Sequence, residues 1–191
     1  YGLMGGWFIA DFYLPDNIES IQSYALWMAN KKLKLSKNIK YIAEDALLGC
    51  SELRDLYYDI PYVCNEMENW LRMPRNLKTI TIGPNVLSLP ASMFSGSEAL
   101  EKIEIPENVD SIGWHCFAYC KNLKEVRLSP KMSYIGRGAF SYCINLPKID
   151  LPNSVKYIGY GAFENCTSFT SLTLPENLEV VEDNAFAGCK G

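Results

Sequence analysis

The sequence predicts a solenoid of stacked coils, each contributing a short parallel β-strand, turns and a short helical or 3₁₀ segment. Three observations predict it. From Leu100 onward, four consecutive stretches align without a gap: LEKIEIPENVDSIGWHCFAYCKN, then LKEVRLSPKMSYIGRGAFSYCIN from Leu123, LPKIDLPNSVKYIGYGAFENCTS from Leu146 and FTSLTLPENLEVVEDNAFAGCKG from Phe169. Each stretch opens on an apolar–polar alternation and closes on a phenylalanine followed three residues later by cysteine. No single copy can enclose its own apolar residues, so stacking against neighbours must bury them.

The register continues upstream. Residues 77–99 and 30–52 are complete copies, and residues 9–29 fit with two residues missing at the end. Residues 53–76 keep Leu53, Leu56 and Tyr58 in place and then break into DIPYVCNEMENWLRMPRN. Residues 1–8, ending in Gly5-Gly6-Trp7-Phe8, read as the remnant of a preceding coil or an N-terminal cap. The expectation is about eight coils of 21–24 residues in one domain over 9–191, the third irregular.

Each element has a physical reason. L-x-x-I-x-I ends in the period-two pattern of a half-buried strand. Pro15, Pro106, Pro152 and Pro175 follow it and, lacking an N–H, stop the ladder. Asn17, Asn38, Asn85, Asn108 and Asn177 come two residues after that point, where a left-handed turn is expected. V-x-x-I then returns apolar side chains to the interior, and Gly113, Gly136 and Gly159 are expected to turn the chain. A-F-x-x-C places apolar groups at i, i+1 and i+4, about one helical or 3₁₀ turn.

The pattern L-x-x-I-x-[IL]-P-x-x-V-x-x-I-G-x-x-A-F-x-x-C, clearest in residues 100–122, 123–145 and 146–168, resembles the BspA-like (Treponema pallidum type) leucine-rich repeats. The resemblance implies a curved, right-handed leucine-rich-repeat solenoid. It also implies a surface or secreted protein of host-associated bacteria that binds host or bacterial proteins, and hence an extracellular or cell-surface location.

Composition narrows the function. A net charge of −4 and pI near 5.1 disfavour nucleic acid, which needs a basic stripe. No run of 18 apolar residues spans a membrane. With one histidine and no phosphate-cradling loop, GxSxG or HExxH, no catalytic centre or cofactor is expected. Cys50, Cys120, Cys143, Cys166 and Cys189 recur at the slot that Ala29 and Ser97 fill elsewhere. They therefore read as a column of buried thiols, and no metal is expected.

The charges on the strands alternate from coil to coil, as in Lys102–Glu125–Lys148 beside Glu104–Arg127–Asp150, which suits a self-neutralising ladder. The candidate partner-binding residues are aromatic. Tyr134 and Tyr157 share one column; Trp114, Arg137 and Tyr160 share another, with Arg137 placed to stack between two rings; Tyr119 and Tyr142 share a third. The irregular coil adds Tyr57, Tyr58, Tyr62 and Trp70. The expected partner is a protein or a glycan, and a structural spacer without a ligand is the competing reading. A further contact, or continuation of the stack, is expected at the uncapped end formed by Lys190 and Gly191.

Overall fold

The computed structural model describes residues 14–26, 31–61, 71 and 73–190. Residues 1–8, Tyr62, Trp70 and Gly191 lie outside the described residues. Six coils are described essentially whole (31–52, 77–99, 100–122, 123–145, 146–168 and 169–190), against the eight expected. The first and third are described only in part.

The strands are β1 (Ser20–Ile21), β2 (Lys32–Leu35), β3 (Tyr41–Ile42), β4 (Asp55–Tyr58), β5 (Thr79–Ile82), β6 (Ser88–Leu89), β7 (Lys102–Glu104), β8 (Ser111–Ile112), β9 (Glu125–Arg127), β10 (Tyr134–Ile135), β11 (Tyr157–Ile158) and β12 (Val180–Val181). They form two series, and every pairing is parallel.

The L-x-x-I-x-I stretches form the first side, as a β2-β4-β5 sheet and a β7-β9 pair. Leu33, Leu56, Ile80, Ile103 and Val126 point inward and are buried. The outward columns have the expected register, with Lys32 beside Asp55 and Thr79, and Lys34 beside Tyr57 and Thr81. Lys102 likewise lies beside Glu125, and Glu104 beside Arg127. Beyond β9 this side carries no further strand. Arg54, Lys78 and Lys124 each donate a backbone N–H to the preceding coil at the slot that Pro147 occupies, and proline has none to give.

The second side was not expected as a strand. The ends of the V-x-x-I stretches form a continuous ladder, β6-β8-β10-β11-β12, with β1-β3 as a separate pair. Leu89, Ile112, Ile135 and Ile158 fill its inner column.

The third side corrects the helical expectation: no helix occurs among the described residues. The N–H groups of His115, Phe117 and Tyr119 donate to the carbonyls of Arg137, Ala139 and Ser141 in the next coil, each at 2.8 Å. Those of Cys116, Ala118 and Cys120 close local turns onto Gly113, His115 and Phe117. Because every second N–H leaves for the neighbouring coil, an α or 3₁₀ ladder cannot continue. Left-handed backbone at His115 (φ 52°) and Tyr119 (φ 60°) re-aims the chain at each end of the segment.

One further expectation is corrected by the same accounting of backbone groups. The asparagines after the strand do not occupy left-handed geometry. Asn108 Nδ2 instead bridges the Pro84 and Val86 carbonyls of the preceding coil, and Ser154 Oγ does the same for Pro130 and Met132. Gly113, Gly136 and Gly159 open turns as expected, but without positive φ. A Cβ on any of them would come within 2.7 Å of the preceding coil's main chain, so close approach is what demands glycine.

Two ladders run through the core. The rings of Phe94, Phe117, Phe140, Phe163 and Phe186 stack at 5.4–5.5 Å. The thiols of Cys120, Cys143, Cys166 and Cys189 donate to the carbonyls of Phe94, Phe117, Phe140 and Phe163 at 3.2–3.3 Å. All are free thiols.

Candidate functional site: an aromatic flank on the second and third sides

The flank is built where the second side turns into the third. Ile135 and Ile158 are buried, so alternation along β10 and β11 turns Tyr134 and Tyr157 outward. As register partners they stack, with ring centroids 4.7 Å apart and planes 7° from parallel. Gly113, Gly136 and Gly159 then let successive main chains close up, and the next residues, Trp114, Arg137 and Tyr160, emerge as a column. Trp114 is 56% exposed and Tyr160 38%. The Arg137 guanidinium carbon lies 5.0 Å from the centre of the Tyr160 ring. The two-ring stack expected for Arg137 thus has one ring in place, that of Tyr160.

Residues absent from the sequence-based list hold the flank in position. The Glu182 carboxylate accepts the Tyr160 backbone N–H at 2.7 Å and pairs with the Tyr157 hydroxyl. Asn184 Nδ2 donates to the Tyr160 hydroxyl at 2.9 Å. The hydrogen bond to Glu182, helped by partial desolvation, pushes the Tyr157 hydroxyl up to about 12. The same bond, followed by the Tyr160 N–H, holds the Glu182 carboxyl below its usual range. The polar tips of two rings are therefore fixed by the last described coil. Sequence alone gave no signal for this, since Glu182 and Asn184 occupy columns that hold glycine or histidine in earlier coils.

Tyr119 and Tyr142 stack on the third side at 4.8 Å, 47% and 36% exposed. Both have left-handed backbone, φ 60° and 59°, at a column that Gly49, Gly96 and Gly188 fill elsewhere. A bulky side chain there costs about 1–3 kcal/mol, and such outliers cluster at functional positions.

The irregular coil gives a divided result. Tyr57 is half-buried on the outer face of β4. Tyr58 is 1% exposed and belongs to the core, so its candidacy as a contact residue is withdrawn: strand alternation turns it inward. Ile60, Leu71 and Met73 are buried with it, so this coil repacks apolar residues over the interior. Asp59 is buried and accepts the Asn85 N–H at 2.8 Å and its Nδ2 at 2.9 Å, tying the irregular coil to the next.

Little else suggests chemistry. Burial pushes Cys120 and Cys166 up to about 12 and raises Cys116 and Cys143 as well, which disfavours the reactive thiolate. Among the described residues no three His, Cys, Asp or Glu side chains gather as metal ligands, and no helix is long and apolar enough to cross a membrane.

The expected strand-charge ladder is present in part: Lys102 pairs with Glu125 at 3.0 Å, Arg127 with Glu125, and Lys148 with Asp150 within its own coil. More regular pairing lies elsewhere, between adjacent coils at Lys121–Glu98, Lys124–Glu101 and Lys156–Glu179.

Fold and surface together define a parallel solenoid whose coils are one repeated unit. The family model for the BspA-type leucine-rich repeat region matches residues 7–101 and 87–191 in six copies, and the chain belongs to that family. Similar solved structures include a leucine-rich cell surface protein from Faecalibacterium prausnitzii (TM-score 0.64, 22% identity), matched over 92% of this chain and 50% of that one. A leucine-rich repeat protein from Bacteroides ovatus is comparable (0.63, 23%, 91% and 48%). The T. pallidum leucine-rich repeat protein also matches (0.56, 24%, 86% and 69%). The chain thus spans about half the length of the first two. No curated protein matches it.

Proposed function

We propose that this chain is a non-catalytic, protein-binding repeat domain of a bacterial surface or secreted protein, and that the flank formed by Trp114, Tyr134, Arg137, Tyr157 and Tyr160 makes the contact. One observation carries the reading: exposed Trp114, Arg137 and Tyr160 and the half-buried Tyr134–Tyr157 stack stand in two columns of the same coils, and Glu182 and Asn184 hold the tips of Tyr157 and Tyr160. Aromatic and arginine side chains dominate binding hot spots, and anchors held before contact lose less entropy on binding. The name of the F. prausnitzii relative, a cell surface protein, supports the location.

The competing reading is a spacer that holds other domains apart and has no ligand. It draws on the fact that the polar tips of Tyr157 and Tyr160 are already satisfied internally.

The test is capture of partners from host matrix and bacterial surface extracts. It uses the chain and a variant carrying Trp114→Ser, Tyr134→Ser, Tyr157→Ser and Tyr160→Ser, with circular dichroism to verify that the variant is folded. A partner held by the chain and lost by the folded variant is the expected result. Equal retention excludes the flank, and absence of any partner favours the spacer.

A further inference from the structure

Residues 31–40 read KKLKLSKNIK, five lysines and no acid, in a chain of net charge −4. The fold adds to this. Arg54 and Asp55 donate their N–H groups to the Lys31 carbonyl, and Lys78 and Thr79 donate theirs to the Arg54 carbonyl. Lys31, Arg54 and Lys78 therefore stand in one column on three successive coils. Like charges in register repel, and the other inter-coil charge pairs described here alternate in sign: Lys40–Glu19, Lys102–Glu125, Lys121–Glu98, Lys124–Glu101 and Lys156–Glu179. Lys31, Lys32 and Lys78 take part in none of the ion pairs among the described residues. Arg54 has only a long contact to Glu52, 3.7 Å, and turns its guanidinium toward the Ser51 and Leu53 carbonyls.

Beside this column lies a shallow depression on the outer face of β2, β4 and β5, lined by Lys32, Lys34, Asp55, Tyr57, Thr79 and Thr81. In register across the three strands, Asp55 stands between Lys32 and Thr79, and Tyr57 between Lys34 and Thr81. Lys34 is bridged to Asp16 at 3.0 Å, which orders it at the edge. No hydrogen bond is formed by the hydroxyl of Thr79 or Thr81 among the described side chains.

We propose that this depression and its basic rim bind an acidic oligosaccharide, one carrying sulfate or carboxylate groups. The inventory fits that chemistry. Lys31, Lys32 and Lys78 meet the anionic groups, Asp55 accepts sugar hydroxyls, Thr79 and Thr81 donate to ring or hydroxyl oxygens, and Tyr57 offers an aromatic surface to the apolar face of a sugar. A neutral sugar leaves the cationic column uncompensated. A nucleic acid uses the cations but has no need of the threonines or Asp55. The site is separate from the aromatic flank and does not depend on the protein-binding reading.

Isothermal titration of the chain with a heparin-derived hexasaccharide, its fully desulfated counterpart and a single-stranded oligothymidine tests it. Binding of the sulfated hexasaccharide, weakening as salt rises, is expected, with at least tenfold weaker affinity for the other two probes. Lys32→Gln with Lys78→Gln is expected to weaken the hexasaccharide at least tenfold, and Thr79→Val with Thr81→Val several-fold. Lys156→Gln with Lys190→Gln, in the last two coils of the solenoid, leaves affinity unchanged. Valine suits an exposed strand position, so the threonine variant keeps its fold. Absence of hexasaccharide binding overturns the proposal. So does equal affinity for oligothymidine, or affinity unmoved by the threonine changes, since either would mean unspecific attraction of polyanions.

Discussion

Cys143 Sγ lies 3.3 Å from the carbonyl oxygen of Phe117 in the preceding coil, and the same relationship links Cys166 to Phe140 and Cys189 to Phe163. The thiol column is a set of cross-links made by hydrogen bonds. Cys143→Ala removes one link and leaves a small void, and is expected to cost about 1–2 kcal/mol in urea unfolding. A thiol reagent at pH 8 is expected to label half-buried Cys189 ahead of buried Cys120, Cys143 and Cys166, which react only on unfolding. Rapid labelling of Cys143 in the native protein would contradict the ladder.

Ser97 occupies the thiol slot of its coil with its Oγ buried and without a hydrogen-bond partner. A buried unsatisfied hydroxyl costs about 1–3 kcal/mol. Ser97→Ala is therefore expected to raise stability, by about 1 kcal/mol or more. Chemical denaturation of the two proteins side by side decides it, and a clear loss of stability would mean that the hydroxyl has a partner.

His115 stands in left-handed backbone at a column filled by Gly138 and Gly161 in the next two coils. His115→Gly relieves that strain and is expected to stabilise by about 1 kcal/mol. There is also a pH signature. Burial, and then the nearby Arg137 charge, lower the His115 pKa, so the unfolded chain takes up its proton first. The contribution is complete above the unfolded value, near 6.5, and falls as pH drops through that value toward the lower folded one. Melting curves at pH 8 and pH 5 should show a smaller acid loss for the glycine variant.

Gly136→Ala puts a methyl group 2.7 Å from the Ile112 carbonyl oxygen, against main chain that cannot turn aside. A loss of about 3 kcal/mol is expected, at the upper end of ordinary overpacking. Gly96→Ala supplies the contrast: its φ of 72° is unfavourable for alanine, but the nearest atoms are in the flexible side chain of Arg75, 3.4 Å away. Its cost is expected to be smaller, about 1–2 kcal/mol. Thermal melts rank the two.

The sequence made the repeat legible because stacking demands the same apolar slot in every coil: Phe117, Phe140 and Phe163 cannot vary without opening the core. The outward strand columns followed from alternation and the period together. Turn chemistry was less legible. Asparagine tolerates a left-handed turn, so the sequence predicts one at Asn108, whereas its amide is used between coils. His115 and Tyr119 are left-handed instead, the latter a bulky residue type that rarely adopts positive φ. The A-F-x-x-C segment imitates a helical turn because its buried residues are spaced like one, and periodicity carries no information about where N–H groups point. In the candidate site, the rings were visible as columns, but Glu182 and Asn184 were not, because they break the repeat at the place where they hold Tyr157 and Tyr160. Tyr58 stands at the inward slot that the register with Leu56 already marks, so alternation along the strand, and not the cluster of aromatics around it, decides its place.

Among the described residues, the bonds between coils run along the second and third sides and part of the first, and each coil touches only the one before and the one after. A load applied along the stack is therefore carried in series. Under tension the molecule should lengthen in discrete steps as coils peel away singly, each 23-residue unit releasing roughly 75 Å of contour. The expected force–extension trace is thus a series of small steps, with the coils not yet released still folded.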